Sequence, residues 1–315
     1  MKLLHGFTEP QAYRGGFVAI GNFDGVHRGH QSMVALLVER ARAAGVAAVV
    51  LTFNPPPVEI LRPGQVPPRL STLDQKARLL AECGVDVIIA YPTDQALLNL
   101  SPEEFFERIV LAELDARGLV EGPNFFFGHN RAGDVAKLRE LCEAAGRSLD
   151  VVSPVRIGDR LVSSSEVRSR IAAGRLAEAV EMLGHAYYLA GTVGRGAGRG
   201  RSLGTPTANL EGIATQVPPD GVYAGVAPRQ QGVYPAAVHI GANTTFGETE
   251  RKVEVHLLDF SGDLYGQPLE VGLLERIRET SRFASAEELK RQLERDLEEV
   301  RGIVNRRPQG PCSRS

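Results

Sequence analysis

The sequence predicts two architectures in one chain: an N-terminal doubly wound α/β domain with a parallel sheet, then a small antiparallel β-barrel with a C-terminal helix. Strand-like and helix-like patterns alternate as far as about Gly184, as in a doubly wound sheet. Beyond that point, short strands of period two are broken by Gly and Pro, which is typical of a barrel. The expected domains are residues 1–184 and 185–306, and residues 307–315 have the composition of a disordered tail.

The first half contains short apolar runs separated by amphipathic helices. Phe17–Gly21 and Val46–Phe53 are predicted to be strands buried on both faces. Between them, His27–Ala44 has apolar residues at helical spacing. Four further elements are expected: helices over Thr72–Gly84, Ser101–Gly118 and Asp134–Ala145, and a strand over Val85–Ala90. Ser101, Pro102 and Glu104 occupy the cap, first and third positions of the second of these helices.

The second half has the pattern of strands exposed on one face. Val253–Leu257 and Leu269–Leu273 alternate apolar and polar residues and are separated by turn residues. One long helix rich in Glu, Lys and Arg, Ala286–Val300, follows them. These features predict a small antiparallel barrel with a helix at its C-terminal end.

The composition is that of an ordinary globular protein. The chain has 315 residues, of which 43% are hydrophobic and 23% charged, and its formal net charge is −2. The slight acidic excess argues against a dedicated nucleic-acid binder. The three cysteines, Cys83, Cys142 and Cys312, are too widely spaced for a disulfide framework or a metal site. Because we find neither a signal peptide nor a stretch long enough to span a bilayer, we expect a cytoplasmic protein without a membrane partner.

Two histidines follow the first predicted strand directly. The segment Gly21–His30 reads G-N-F-D-G-V-H-R-G-H and lies where that strand turns into a helix. Free backbone N–H groups and the positive end of the helix dipole favour a triphosphate at such a place. The imidazoles of His27 and His30 can stabilise charge that builds up on a transferred phosphate. The alternative is a tight turn with two incidental surface histidines.

A second motif opens the second half of the chain. Gly191–Gly204 is rich in Gly and Arg but lacks the order of a Walker loop. Its arginines and backbone amides could bind phosphate oxygens, and the alternatives are a flexible linker or a basic patch for RNA. Thr207 and Asn209 follow, two residues apart on an extended strand, and therefore share one face. Both side chains offer the oxygen ligands that Mg²⁺ accepts beside nucleotide phosphates.

These motifs resemble those of bacterial bifunctional riboflavin kinase/FMN adenylyltransferases, also called FAD synthetases. In the first half, four segments are similar to the family's H-x-G-H nucleotidyltransferase module: Gly21–His30, Thr52–Pro57, Gly122–Gly133 and Ser163–Arg168. In the second half, four are similar to its riboflavin kinase module: Gly200–Asn209, Gly221–Ala224, Gly241–Phe246 and Glu254–Phe260. The resemblance spans about Phe17 to Arg301.

The resemblance implies that ATP phosphorylates riboflavin to FMN and then adenylylates FMN to FAD, so that riboflavin, FMN and ATP are the expected partners. It makes Glu254 the general base for the ribityl hydroxyl and gives Mg²⁺ to Thr207 and Asn209. It assigns His27, His30 and Arg168 to charge stabilisation in the second step. The implied ATP and phosphate ligands are Asn22, Asp24, Gly29, Ser164, Gly198, Gly200 and Gly204, and the implied flavin ligands are Asn124 and Arg278.

Several positions depart from the family pattern. Pro56 stands where the family usually has histidine, and Phe126 where arginine is common, which predicts a weaker adenylylation site. Thr280 replaces a glutamate in the segment that closes on flavin together with Arg278 and Phe283. One alternative is therefore a monofunctional riboflavin kinase with a weakened adenylyltransferase module. Others are a flavin-sensing regulator that binds flavin or RNA without turnover, and a nucleotidyltransferase for another phosphate ester.

Overall fold

The computed structural model describes residues 1–194, 205–242 and 250–306. These residues form two compact units, residues 1–67 with 73–163, and residues 68–72 with 164–306. The units therefore divide at Ser163/Ser164, before the domain boundary expected at residue 184, which stays a prediction. The phosphate-loop glycines Gly198, Gly200 and Gly204 lie outside the described residues.

The first unit contains a six-stranded parallel sheet, which confirms the predicted doubly wound fold. Its strands are β1 (Lys2–His5), β2 (Phe17–Ile20), β3 (Ala48–Phe53), β4 (Val87–Tyr91), β5 (Gly118–Glu121) and β6 (Ser148–Val151). They lie in the order β1-β4-β3-β2-β5-β6. The strand order switches between β2 and β5, and ligands of such folds bind beyond the strand carboxyl ends at that switch. A small hairpin, β7 (Arg156–Ile157) and β8 (Arg160–Leu161), follows the sheet.

Six α-helices accompany the sheet in this part of the chain. They are α1 (Arg28–Ala44), α2 (Pro57–Leu61), α3 (Leu73–Glu82), α4 (Gln95–Leu98), α5 (Pro102–Phe105) and α6 (Val135–Ala144). Ser101 and Glu104 form a reciprocal capping box at α5, with Glu104 N donating to Ser101 Oγ over 3.1 Å and Ser101 N donating to Glu104 Oε2 over 3.0 Å.

The helix predicted from Ser101 to Gly118 is shorter than expected. After α5 it widens into a π-helix over Phe106–Glu113 and stops there. The wider turns bury Phe106, Ile109 and Val110 together, and Asp115 then adopts a left-handed backbone (φ 46°). Gly118, predicted as the helix end, is instead the first residue of β5.

The second unit is a closed antiparallel barrel with helices, as predicted. Its strands are β9 (Tyr187–Gly194), β10 (Ala208–Glu211), β11 (Gly221–Arg229), β12 (Gly232–Gly241), β13 (Lys252–Leu257) and β14 (Pro268–Arg278). They close in the order β10-β13-β12-β11-β14-β9. Helices α7 (Ser164–Ala172) and α8 (Leu176–Leu183) precede the barrel, and α9 (Ala286–Arg306) follows it.

Helix α9 runs six residues past the predicted end at Val300. Gly302 disfavours a helix by about 1 kcal/mol relative to alanine. Ile303 and Val304, however, are buried with Val300 against barrel residues such as Val226, so that packing outweighs the propensity of the glycine.

Candidate active sites

The turn after β2 holds an unusual backbone. Phe23 and Val26 have φ values of 47° and 39°, and Gly25 between them has a φ of 78°. A left-handed conformation is costly for a β-branched residue such as Val26. Both Phe23 and Val26 are fully buried, so the surrounding core maintains the strain, which is a common property of functional turns. The turn carries Asn22 and Asp24 and leads directly into α1.

The two histidines of this motif are stacked against each other. His27 is the N-cap of α1, and its Nδ1 accepts a hydrogen bond from His30 N over 3.3 Å. The two imidazole rings lie 3.7 Å apart at 14°. A Cβ at Gly29 would lie 3.1 Å from His27 Cε1, so glycine leaves the space that His27 occupies. His30 Nδ1 is buried and has no hydrogen-bond partner within the described residues.

A buried lysine adds positive charge beside these histidines. Lys76, on α3, is 6% exposed, and its Nζ donates to Thr52 Oγ1 over 3.2 Å. Thr52 Oγ1 in turn donates to Asn22 O over 3.3 Å. Burial first, and then the neighbouring His27 and Lys76, hold the pKa of His30 well below 6.5. His30 is therefore a neutral imidazole at pH 7, and Lys76 supplies the nearby cation.

A buried carboxyl group lies at the switch in strand order. Glu121, the last residue of β5, is 1% exposed, and its Oε1 accepts a hydrogen bond from Ile20 N over 2.7 Å. Burial raises the pKa of Glu121 well above 4.5, although the bond from Ile20 N opposes the rise. This hydrogen bond joins the carboxyl ends of β2 and β5, immediately before the histidine turn.

The predicted flavin segment follows β5. Asn124 is exposed, and Phe126 is 45% exposed with the Arg131 guanidinium 4.4 Å above its ring centre. Phe125 and Phe127 stack with their ring centres 5.5 Å apart. Position 126, where the family pattern has arginine, therefore carries an aromatic ring. The guanidinium of Arg131 lies above that ring.

Ser164 and Arg168 belong to the second unit. Both lie on α7, where Arg168 Nε donates to Pro68 O over 2.6 Å and Arg168 O accepts from Gln216 Nε2 over 3.0 Å. His27 and His30 belong to the first unit. The assignments of Ser164 to ATP binding and of Arg168 to charge stabilisation therefore stay predictions.

The barrel aligns three polar side chains from three strands. Asn209 on β10 lies directly opposite Glu254 on β13, and Glu254 lies directly opposite His239 on β12. Directly paired residues of antiparallel strands project to the same face. We call these three residues the barrel row. On the next two strands, Val222 of β11 is paired with His239, and Arg278 of β14 is paired with Val222.

The barrel row combines a carboxylate with an amide and an imidazole. Asn209 is buried, and its Oδ1 has no hydrogen-bond partner among the residues that the structure describes. Such an oxygen fits a cation ligand, because leaving it unsatisfied is costly. The Glu254 side chain is 17% exposed, and its Oε2 lies 3.4 Å from His239 Nδ1. Thr207, the second predicted metal ligand, is exposed two residues before Asn209.

Arg278 is held by helix α9. Its Nε and Nη2 donate to the Asp296 carboxylate over distances of 2.7–3.1 Å. Asp296 is 3% exposed and also accepts a bond from Gln292 Nε2 over 2.7 Å. The Arg278 guanidinium lies 5.7 Å from the Phe283 ring centre. The predicted flavin ligand therefore fixes the end of β14 to α9.

An open cavity of about 290 Å³ lies beside Thr207. Its lining includes Val193, Pro206, Val255, Phe260 and Tyr265. The mixture of apolar and aromatic side chains beside a polar predicted metal ligand is typical of a small-molecule site.

Three residues of these sites were not identified from the sequence. Lys76 and His239 lie within a helix and a strand, and Glu121 ends a strand, so that the pattern around each residue signals only secondary structure. Their proximity to the predicted residues depends on strand order and register, which the sequence does not specify. Within residues 1–194, 205–242 and 250–306, no three His, Cys, Asp or Glu side chains form a group that could hold a metal ion. No helix of that same part is long and apolar enough to cross a membrane.

The two units correspond to two known families of enzyme domain. The FAD synthetase family model matches residues 9–166, and the riboflavin kinase family model matches residues 183–304. The α/β unit with its paired histidines and the barrel with its barrel row thus define a nucleotidyltransferase joined to a kinase of flavin metabolism.

Individual relatives match over nearly the whole chain. A bifunctional riboflavin kinase/FMN adenylyltransferase from Pseudomonas fluorescens is 38% identical over 93% of this chain and 94% of its own length. The protein of the same description from Escherichia coli K12 is 37% identical over 94% of this chain and 96% of its own length. The chain belongs to the family of bifunctional riboflavin kinase/FMN adenylyltransferases. Because both halves match, the monofunctional alternative is not retained.

A solved structure also resembles both units. The crystal structure of a macrolide-efflux protein from Streptococcus pneumoniae matches with a TM-score of 0.82 and 29% identity, over 95% of this chain and 98% of that one. This match supports the fold of both units and nothing about their activity.

Proposed function

We propose that the protein phosphorylates riboflavin to FMN and then adenylylates FMN to FAD, with ATP as the second substrate of both steps. The observation that carries the kinase assignment is the barrel row. In it the amide oxygen of Asn209, which has no hydrogen-bond partner in the described part of the chain, lies opposite the Glu254 carboxylate. The stacked histidines at the start of α1 support the second activity. The cytoplasmic location predicted from the sequence is part of the same proposal.

In the kinase step, Glu254 accepts the proton of the ribityl hydroxyl while that oxygen attacks the γ-phosphorus of ATP. The bond from the γ-phosphorus to the bridging oxygen breaks, and ADP leaves. Thr207 and Asn209 would hold Mg²⁺ together with the phosphates, and the ion supplies charge neutralisation at the phosphate oxygens when bound. The predicted phosphate ligands Gly198, Gly200 and Gly204 belong to this step. Asn124 and Arg278 remain the proposed flavin ligands of the two modules.

In the adenylylation step, an FMN phosphate oxygen attacks the α-phosphorus of ATP, and pyrophosphate leaves. Neutral His30 can donate a hydrogen bond to a phosphate oxygen, and Lys76 adds positive charge nearby. Gly29 and the amide groups at the start of α1 leave the backbone accessible to the anion. Asn22, Asp24, His27, Ser164 and Arg168 complete the proposed set.

A chromatographic time course with riboflavin, ATP and Mg²⁺ tests both assignments. Glu254→Gln removes the general base, so FMN formation should fall by about 10²–10⁴-fold while added FMN is still converted to FAD. His30→Ala should slow FAD formation and leave FMN formation intact. If either variant lost both activities while remaining folded, the assignment of one activity to each unit would be wrong.

A further inference from the structure

The imidazole of His239 lies beside the proposed base. It lies directly opposite Glu254 in the strand register, and its Nδ1 is 3.4 Å from Glu254 Oε2. His256 is the next residue on the same face of β13, but its Nδ1 lies 2.8 Å from Pro206 O. The two histidines therefore face different groups: a carboxylate for His239 and a backbone carbonyl for His256.

The Nδ1 atom of His239 faces the Glu254 carboxylate. Its side chain is 26% exposed, while Nδ1 itself is buried and forms no hydrogen bond within the described residues. The distance to Glu254 Oε2 exceeds a normal N–H···O bond, which spans about 2.7–3.2 Å. Catalytic hydrogen bonds are often long before substrate binds and shorten in the reacting complex.

We propose that His239 is a positioning residue for riboflavin phosphorylation, which orients the Glu254 carboxylate by donating a hydrogen bond from Nδ1 to Oε2. The inference rests on the proposed role of Glu254 as the base. The carboxylate of a glutamate rotates about the Cγ–Cδ bond, and a hydrogen bond donated to one of its oxygens fixes that rotation. The other oxygen is the one that we expect to accept the ribityl proton. Asn209 lies opposite Glu254 on the other neighbouring strand, and its Oδ1, being an acceptor, cannot supply this hydrogen bond.

The geometry of the imidazole specifies which substitutions should replace it. Nδ1 is bonded to Cγ, as is the amide nitrogen of asparagine. The amide nitrogen of glutamine lies one carbon farther out, near the position of Nε2. His239→Asn therefore keeps a donor where the structure places one, whereas His239→Gln and His239→Ala do not.

The test is steady-state kinetics of the full-length protein with riboflavin, ATP and Mg²⁺. His239→Ala should lower kcat for FMN formation by about tenfold while both KM values change by less than about twofold, because orientation acts in the transition state. His239→Asn should restore kcat to within about threefold of the original, and His239→Gln should behave like the alanine variant. Thermal unfolding of the same preparations verifies that the barrel of each variant is folded, and conversion of added FMN to FAD is the activity control for the other unit.

An unchanged kcat in His239→Ala, or equal losses in the alanine and asparagine variants, would overturn the role of His239. Coupling gives a second measurement. In a Glu254→Asp background, where the shorter carboxylate is displaced from His239, adding His239→Ala should lower kcat much less than it does alone. Full additivity would contradict the proposal. Glu254→Gln distinguishes failure of the proposed base from failure of the proposed positioning residue. If this variant retained FMN formation, the role of Glu254 as the base would be wrong, whatever the result for His239.

Discussion

Gly29 lies between the two stacked histidines at the start of α1. A Cβ there would meet His27 at 3.1 Å from Cε1 and 3.2 Å from Nδ1. Contacts that short require His27 to shift, and His27 both caps the helix and stacks on His30. The absence of a side chain at position 29 therefore determines the geometry of both imidazoles.

Gly29→Ala should lower the rate of FAD formation from FMN by about ten- to a hundredfold, since small misplacements of binding groups have effects of that size. Alanine favours a helix over glycine, so lost helix stability would not explain the effect. The measurement is kcat/KM for FMN, with riboflavin phosphorylation as an internal control. Gly64→Ala is the matched variant, because a Cβ there meets nothing within 4 Å. Equal losses in both variants would contradict the argument.

Glu121 makes the stability of the protein depend on pH. Its folded-state pKa is raised well above 4.5, so the folded state retains a proton that the unfolded state releases. The free energy of unfolding therefore has its full value below about pH 4.5. It falls as the pH rises through the folded-state pKa, by at most about 1.4 kcal/mol per pH unit.

Glu121→Gln keeps an oxygen for Ile20 N and cannot ionise. Its free energy of unfolding should match that of the original protein near pH 4.5 and exceed it increasingly toward pH 8. Denaturant unfolding at a series of pH values checks this expectation. A difference that does not change with pH would mean that Glu121 is already ionised in the folded protein.

Part of each site could be predicted from residues alone. His27, His30, Thr207 and Asn209 have a spacing that suggests phosphate and metal binding, whereas Glu254 is indicated only by the family resemblance. The structure places the two histidines together and Asn209 opposite Glu254. The interactions of Lys76, Glu121 and His239 could not be predicted in this way. Each arises from contact between segments far apart in sequence, and local pattern contains no information about that contact.

At the scale of elements, a buried ion pair and an apolar face attach α9 to the barrel. Asp296 is almost completely buried and binds Arg278 at the end of β14. A second pair, Arg301 with Asp259, joins the same helix to the turn after β13 but is half exposed. Because one pair is buried and the other is exposed, comparing them shows how burial changes the contribution of an ion pair to stability.

Asp296→Asn should lower the free energy of unfolding by about 2 kcal/mol or more, because it leaves the Arg278 charge without its partner. Asp259→Asn should have a clearly smaller effect, because water screens that pair. Asparagine also tolerates the left-handed backbone of position 259 (φ 60°). Thermal and denaturant unfolding of the two variants checks the order, and a larger loss for Asp259→Asn would contradict it.

The element types followed from periodicity, whereas two helix ends did not. The alternation of Lys252–Leu257 and the apolar stripe of α1 identify a strand and a helix directly. The ends at Glu113 and Arg306 depend on which side chains the core can bury, through a π-helix in one case and past Gly302 in the other. Tertiary packing decided both.

The whole molecule joins two compact units, each with a core and a candidate site of its own. The histidine turn and Glu121 belong to the first unit, and the barrel row and α9 belong to the second. Changes of side chain in one unit are therefore expected to act independently of changes in the other.

The double variant Gly29→Ala/Asp296→Asn tests this independence. FAD formation from FMN should fall by the factor seen in Gly29→Ala, and the loss in unfolding free energy of the second unit should equal that in Asp296→Asn. The measurements are the FMN adenylylation rate and calorimetric unfolding. Effects that exceed the sum of the single variants would indicate energetic coupling between the units.

The closed barrel also affects how copies of the protein meet one another at high concentration. Unpaired strand edges are templates for pairing with another chain, and the barrel closes each of its six strands onto two neighbours. The parallel sheet has two edges, β1 and β6, each only four residues long. On β6, Asp150 is held by Arg40 through two hydrogen bonds. The described part of the fold therefore offers little backbone for strand-to-strand aggregation.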